Sequence, residues 1–120
     1  MTGDEFDRDA ERVRRRLQDL AEFGADAAYT VSLGIEAYLD ESPQGRVLRN
    51  NGRQILIQVA TVVEKLPATF KETRGDVDWV AIGRMRNLMA HHYGKVDDRL
   101  VFSALAHRIP ELLGRLGVDV

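Results

Sequence analysis

The sequence contains no cysteine, only three prolines and a single tryptophan in 120 residues. The lack of cysteine excludes disulfides, thiol catalysis and cysteine-ligated zinc sites. No apolar run approaches the roughly 20 residues that a membrane-spanning helix needs. The N-terminal segment is charged and has no apolar signal core, so a cytoplasmic location is expected.

A strong excess of charge of one sign is also missing. The chain has 17 Lys and Arg against 19 Asp and Glu, which gives a formal net charge of -2. This balance excludes a protein that binds nucleic acid through a general excess of positive charge, but it allows a local basic site. A hydrophobic content of 44% is typical of a globular protein, and the length predicts one domain over residues 1–120.

Apolar residues recur every three or four positions, a spacing that predicts helices throughout. The predicted fold is an all-α, antiparallel up-and-down bundle of four to five helices. Breaks are expected at Phe23-Gly24, at Asp40–Pro43 and from Pro67 to Gly75, where one loose turn is possible. The first predicted helix starts after Thr2, and the second and third run over 26–39 and 43–66. The fourth begins at Asp76 or Asp78 and ends near His92 or Tyr93. The fifth begins at Asp97 or Asp98 and ends near Leu116.

Several local features refine this prediction. Ser42 is a suitable N-cap, and Pro43 suits the first helical position. Gly94 can take the left-handed conformation that ends a helix. Pro110 predicts a kink or break in the last helix. Two apolar stripes should be buried, and they comprise Val13, Leu17 and Leu20 in the first helix and Ile55, Val59, Val62 and Leu66 in the third.

The stretch from Trp79 to Tyr93 combines packing and reactive side chains more densely than any other window. On a helix, Trp79, Ile82, Met85, Met89 and Tyr93 share one broad apolar face. Arg86 and His91 are five residues apart and point about 140° away from each other. Their convergence on one ligand atom therefore needs a distorted last turn or a second copy of the helix across a two-fold axis.

The side chains of this stretch suit metal-free RNA cleavage. A guanidinium binds phosphate bidentately, and a His with a pKa near neutrality can move a proton to or from a hydroxyl. In this hypothesis the 2'-hydroxyl attacks the neighbouring phosphate, His91 is the base or acid, and Arg86 stabilises the developing charge. The stretch has no acidic cluster for a hard metal ion, and the adjacent His91 and His92 diverge, which disfavours zinc.

Each residue taken alone also has a structural interpretation. Arg86 then reads as a salt-bridge partner, His91 as a helix C-terminal cap, and Tyr93 as a boundary aromatic. His92 falls towards the apolar side, which favours packing, and His107 is taken as structural. The basic run of Arg12, Arg14, Arg15 and Arg16 reads as a solvated face paired with nearby acids.

The combined pattern resembles HEPN-domain proteins of the HepT-like toxin group. That group's signature is an Arg, then four residues of which the first is polar, then a His, one further residue and a Tyr. Here these are Arg86, Asn87, His91 and Tyr93. Val96-Asp97, the apolar pair Val101-Phe102 and the run from Ile109 to Leu112 extend the resemblance, which is sharp from about Tyr38 to Leu116.

The resemblance implies a homodimer whose signature helices line a cleft, and a metal-independent ribonuclease that halts growth. It implies an MntA-like nucleotidyltransferase antitoxin that transfers AMP to Tyr93. Carried over by position, Arg86 would stabilise phosphate, His91 would transfer the proton, and Asn87 would orient His91 or the substrate. The extra His92 would support the site, and it leaves open which imidazole transfers the proton.

A second hypothesis remains open in addition to the hypothesis of a ribonuclease toxin. In it the chain is a non-catalytic HEPN subunit that binds RNA or nucleotide and acts through a nucleotidyltransferase partner. The net acidity of the sequence favours this alternative.

Overall fold

The computed structural model describes residues 3–118, with side chains described for residues 7–92 and 94–118. Within that range the chain is all-helical and forms a bundle, as predicted from the apolar spacing. The α-helices are α1 (Gly3–Ser32), α2 (Ile35–Leu39), α3 (Pro43–Glu64), α4 (Ala68–Glu72), α5 (Trp79–His91), α6 (Asp98–Ser103) and α7 (Ile109–Arg115). No helix within residues 3–118 combines the length and apolar content that crossing a bilayer requires.

The first break was predicted at Phe23-Gly24, and this prediction is wrong. α1 continues through both residues to Ser32, because an interior glycine only weakens a helix and supplies no stop. The chain turns instead at Gly34, whose φ of 90° belongs to the left-handed region that favours glycine. The predicted helix over 26–39 is thus divided between the end of α1 and the short α2.

The corner between α2 and α3 is built as the sequence predicts. The Ser42 hydroxyl accepts a hydrogen bond from the Gly45 N–H at 3.1 Å, and Pro43 opens α3. Hydrogen bonds from the Ser42 side chain and N–H lower the pKa of Asp40 below its usual value. These local bonds fix the point at which α3 begins.

α3 forms the centre of the core. Its predicted seam is buried throughout: Ile55, Val59, Val62 and Leu66 are each at most 8% exposed. The stripe predicted for α1 is only partly confirmed, since Leu20 is buried while Val13 and Leu17 are half-buried. The largest fully buried side chains are Tyr38, Leu20, Leu56, Leu105, Leu113 and Val59.

The last arm of the bundle, which comprises α6 and α7, departs from a regular helix just before Pro110. Residues Ala104–Arg108 form a π-helical turn between α6 and α7, and the Ile109 N–H reaches the Ala104 carbonyl. Pro110 has no N–H and its ring collides with the carbonyl four residues earlier, so the wider turn accommodates it. The kink or break predicted at this proline takes the form of this π-helical turn, and the helical path continues through Pro110 without a break.

Two polar contacts show the direction in which the α6–α7 arm runs. Arg53 of α3 binds Asp98 at the start of α6, with Nε–Oδ1 at 2.8 Å and Nη2–Oδ2 at 2.6 Å. At the other end, Arg115 of α7 donates to the backbone carbonyl of Asp76, just before α5. The α6–α7 arm therefore returns antiparallel to α5, which completes an up-and-down order of α1, α3, α5 and α6–α7.

Gly52 permits a close approach between α2 and α3. A Cβ atom at this position would lie 2.2 Å from the Tyr38 hydroxyl and 2.9 Å from a ring carbon. Tyr38 is fully buried, and its ring packs on Phe102 with centroids 5.3 Å apart. The Tyr38 side chain therefore cannot move aside to make room for a larger residue at position 52.

The Gly52→Ala substitution should therefore lower the free energy of unfolding by about 1–3 kcal/mol, the usual effect of overpacking a core. The matched control is Gly114→Ala in α7, where an added Cβ meets nothing within 4 Å. Its expected effect is neutral or a gain of about 0.5–1 kcal/mol, because alanine favours a helix over glycine. Urea unfolding of both variants tests this, and equal stabilities would contradict the packing argument.

Candidate functional site

α5 has defined bonds at both ends. At its start the Asp78 carboxylate accepts a hydrogen bond from the Ala81 N–H at 2.9 Å, which confirms the predicted cap. At its end the His92 N–H bonds the Leu88 carbonyl at 2.9 Å, and a 3-10 turn follows over Tyr93–Lys95. The helix ends by tightening into this turn, so Gly94 does not take the predicted left-handed conformation.

The inner face of α5 follows the predicted apolar stripe. Met89 is buried, and Trp79, Ile82 and Met85 are partly buried against the core. The Trp79 Nε1 atom is buried and has no hydrogen-bond partner among the described residues. The ammonium group of Lys71 lies 5.7 Å from the centre of the Trp79 ring, a distance that allows a cation–π interaction.

The outer face of α5 presents polar and apolar side chains together. Asn87 and His91 are exposed, four residues apart and therefore on one side of the helix. Val80 is 65% exposed and Leu88 is 56% exposed on the same outward part of the surface. His92, which was predicted to pack, is also exposed, because the helix ends there and the backbone leaves the helical direction.

Arg86 lies to the side of this outer face, towards the end of α3. Its Nη1 atom is 2.9 Å from the Oε1 atom of Glu64, and the two side chains are 36% and 45% exposed. The structural interpretation of Arg86 as a salt-bridge partner is therefore realised. His91 stands about 140° around the helix axis from Arg86 by helical geometry, so one copy of α5 does not point both groups at one atom.

The positive charge of α5 is not balanced on the helix itself. It carries Arg84 and Arg86, and no acidic residue occurs between Trp79 and His91. The basic run of α1 differs, because acids one turn away pair with it: Arg14 with Glu11 at 2.5 Å, and Arg16 with Asp19 at 3.9 Å. The solvated interpretation of the α1 run is confirmed, and α5 differs from it because the acid that pairs with Arg86 comes from another helix.

A family model described as "Ribonuclease HepT-like" matches residues 4–116. The chain belongs to the HepT-like ribonuclease family. This confirms the resemblance that the signature residues of α5 indicated.

A curated relative of this HepT-like chain comes from Caldanaerobacter subterraneus subsp. tengcongensis and is named "Putative RNase". The two are 33% identical over 54 residues, a match that covers 45% of this chain and 48% of the relative. The chain thus matches about half the length of that protein. No match was found among solved structures.

The segment that follows the signature in this HepT-like chain is tied to α3. The Asp97 carboxylate caps α6 through the Arg99 N–H at 2.9 Å. The neighbouring Asp98 accepts the two hydrogen bonds from Arg53. The side chains of Asp98 and Arg53 are only 18% and 14% exposed. The side chain of Tyr93 lies outside the described part of the structure, so its role as AMP acceptor stays a prediction.

An apolar cavity of the HepT-like bundle lies away from the signature. It has a volume of about 390 Å³ and opens between α3, the first half of α5 and α7. Its walls are mostly apolar, with Leu56, Ile82, Met85 and Ile109 among them, and they include none of Arg86, Asn87, His91 and His92. Among the described side chains of residues 7–92 and 94–118, no three from His, Asp and Glu gather as potential metal ligands.

Sequence reasoning missed Glu64 as a neighbour of the HepT-like signature. Glu64 is the last residue of α3, 22 positions before Arg86, and no spacing rule connects them. Their contact depends on the angle at which α3 and α5 pack, which the sequence pattern alone does not specify. The Arg53–Asp98 pair, 45 positions apart, was missed for the same reason.

Proposed function

We propose that this protein is a metal-independent ribonuclease toxin that uses Arg86 and His91. Its membership of the HepT-like ribonuclease family over residues 4–116 is the observation that carries the proposal. The exposed His91 and the absence of acidic residues within α5 support it, because an RNA phosphate needs an accessible cation and a nearby proton carrier. An open helix face also accommodates a polymer more readily than an enclosed pocket does.

The proposed reaction needs only the groups of the protein and the RNA. The ribose 2'-oxygen forms a bond to the adjacent phosphorus, and the bond from phosphorus to the 5'-oxygen breaks. An imidazole accepts the 2'-hydroxyl proton, or an imidazolium returns a proton to the leaving 5'-oxygen. Arg86 binds the phosphate oxygens as negative charge builds on them, and the products are a 2',3'-cyclic phosphate and a 5'-hydroxyl.

A homodimer resolves the divergence of Arg86 and His91 around one helix. In an isologous contact between two α5 helices, a His91 from one protomer can meet the substrate beside Arg86 of the other. The exposed Val80 and Leu88 supply apolar surface for that contact. Asn87, on the His91 side of the helix, is placed to orient His91 or the substrate.

The dimer proposal predicts that Leu88→Glu yields a monomer, because dimerisation would bury an unpaired carboxylate. Val47→Glu on α3 is the matched control, since Val47 and Leu88 are both 56% exposed. Sedimentation equilibrium measures the result. A wild-type monomer, or a Leu88→Glu variant that remains dimeric, would refute an interface through this face of α5.

The catalytic proposal predicts that His91→Ala lowers RNA cleavage in EDTA by at least about 10²-fold, the usual loss when an acid–base group is removed. His107→Ala should retain activity, and His92→Ala tests whether the neighbouring imidazole shares the proton transfer; all three replacements remove an exposed imidazole. Cleavage of a fluorescent RNA by the purified proteins provides the measurement. If His91→Ala cuts as fast as the wild type, His91 has no catalytic role.

We further propose that a nucleotidyltransferase antitoxin of the MntA type neutralises the protein by transferring AMP to Tyr93. Tyr93 follows His91 and His92 directly, at the end of the signature helix. An added AMP would place bulk and a negative charge next to the basic groups of α5. It would therefore compete with an RNA phosphate both sterically and electrostatically.

Co-expression with a nucleotidyltransferase encoded by a neighbouring gene should raise the intact mass by one or more AMP units. Tyr93→Phe should lack this increase, since the acceptor oxygen is gone while the ring remains. Tyr29→Phe is the control, because Tyr29 is an exposed tyrosine of α1 far along the chain from the signature. Equal AMP addition to the Tyr93→Phe variant would place the modification elsewhere.

The formal net charge of -2 favours one alternative. In it the protein is a non-catalytic subunit that binds RNA or nucleotide and acts with a nucleotidyltransferase partner. The cleavage assay separates the two: RNA binding without cleavage, and no growth arrest when the chain is expressed alone, would support the binding subunit.

A further inference from the structure

Glu64 makes a contact with Arg86 that differs from the other interhelical ion pair of the bundle. Arg53 meets Asp98 through two hydrogen bonds, and both side chains are mostly buried. Arg86 meets Glu64 through a single hydrogen bond, from Nη1 to Oε1 at 2.9 Å, in a half-exposed position. The first arrangement occupies one full edge of a guanidinium, whereas the second leaves the Nε–Nη2 edge of Arg86 without a hydrogen-bond partner among the described residues.

A guanidinium that binds phosphate uses two parallel N–H groups on one edge. A carboxylate that holds only the Nη1 atom therefore restricts the orientation of the guanidinium plane without occupying that edge. An arginine on an exposed helix otherwise samples many side-chain conformations, and ordering such a side chain on binding has an entropic cost.

The position of Glu64 is itself fixed. It is the last residue of α3, directly after the buried Val62 and Val63. Its backbone carbonyl accepts a hydrogen bond from Lys71 Nζ at 3.2 Å. The same ammonium lies over the Trp79 ring, so α4 and the start of α5 are connected to the point from which the Glu64 side chain extends.

We infer that Glu64 is a positioning residue, which orients Arg86 so that its open edge receives the phosphate of the RNA. This inference rests on the proposed ribonuclease function. Glu64 acts through Arg86 and need not touch the substrate.

The charge of Glu64 and its hydrogen bond have opposite effects on the reaction. The hydrogen bond orders Arg86 and so favours the transition state, where a misplacement of about 1 Å can cost up to about 10²-fold in rate. The negative charge repels the RNA phosphate and weakens ground-state binding. Loss of the side chain should therefore lower kcat while KM for RNA stays the same or falls.

The test compares Glu64→Ala and Glu64→Gln in steady-state cleavage of RNA in EDTA. Glu64→Ala should lower kcat about tenfold or more without raising KM. Glu64→Gln keeps an acceptor oxygen, so it should recover most of the kcat and share the unchanged or lower KM. A general structural defect would not produce this recovery together with unaltered substrate binding.

Glu111→Ala is the matched control. One Glu111 carboxylate oxygen likewise accepts a hydrogen bond from a half-exposed arginine, Arg115, at 2.8 Å, and the two side chains are 50% and 43% exposed. Exposed pairs of this kind are worth about 0–1 kcal/mol, so both alanine variants should retain nearly the wild-type melting temperature. Only Glu64→Ala should lose kcat.

A second measurement follows Arg86 directly. The ¹⁵N relaxation of the Arg86 Nε–H group should show increased mobility in Glu64→Ala and little change in Glu64→Gln. A kcat within twofold of the wild type in Glu64→Ala, equal losses in both variants, or an Arg86 that stays as rigid without Glu64 would each overturn the positioning role. A wild type that does not cleave RNA would overturn the proposed function as well, so the two failures are distinguishable.

Discussion

Burial of the α3 seam is the interaction on which the positions of the other elements depend. Ile55, Val59, Val62 and Leu66 are at most 8% exposed, and burying such side chains contributes about 1.5–3 kcal/mol each. α3 also carries the polar groups that reach the neighbouring arms, Arg53 towards α6 and Glu64 towards α5. The relative placement of the signature residues is thus set from a helix that contains none of them.

The parts of the fold that were predictable are those with a local cause. The seam of α3, the caps at Ser42 and Asp78 and the irregular turn before Pro110 all follow from spacing or backbone chemistry within one turn. The break predicted at Phe23-Gly24 failed because a glycine permits a turn but does not require one. The turn occurs at Gly34, where tertiary packing uses the positive φ.

The candidate site was predictable in its residues but not in its surroundings. The signature placed Asn87 and His91 on one side of a helix, and the structure exposes both. The ion pair of Arg86 with Glu64 was outside the reach of pattern reasoning, because it joins helices whose crossing angle is a product of core packing. His92 was misassigned to packing because the periodicity of α5 was extended beyond its last helical residue.

The acidic net charge and the proposed binding of RNA are compatible because charges act over short distances in salt. At physiological ionic strength the screening length is about 8 Å, so a phosphate near α5 responds to the groups within a few side-chain lengths. The arginines of α1 are neutralised by acids one turn away, among them Arg14 by Glu11. α5 has no such acids, and its principal carboxylate neighbour, Glu64, engages Arg86 at one nitrogen only. The acidic total therefore does not oppose the proposed binding of RNA at α5, because the groups close to a phosphate, rather than the count over the whole chain, determine the field that it meets.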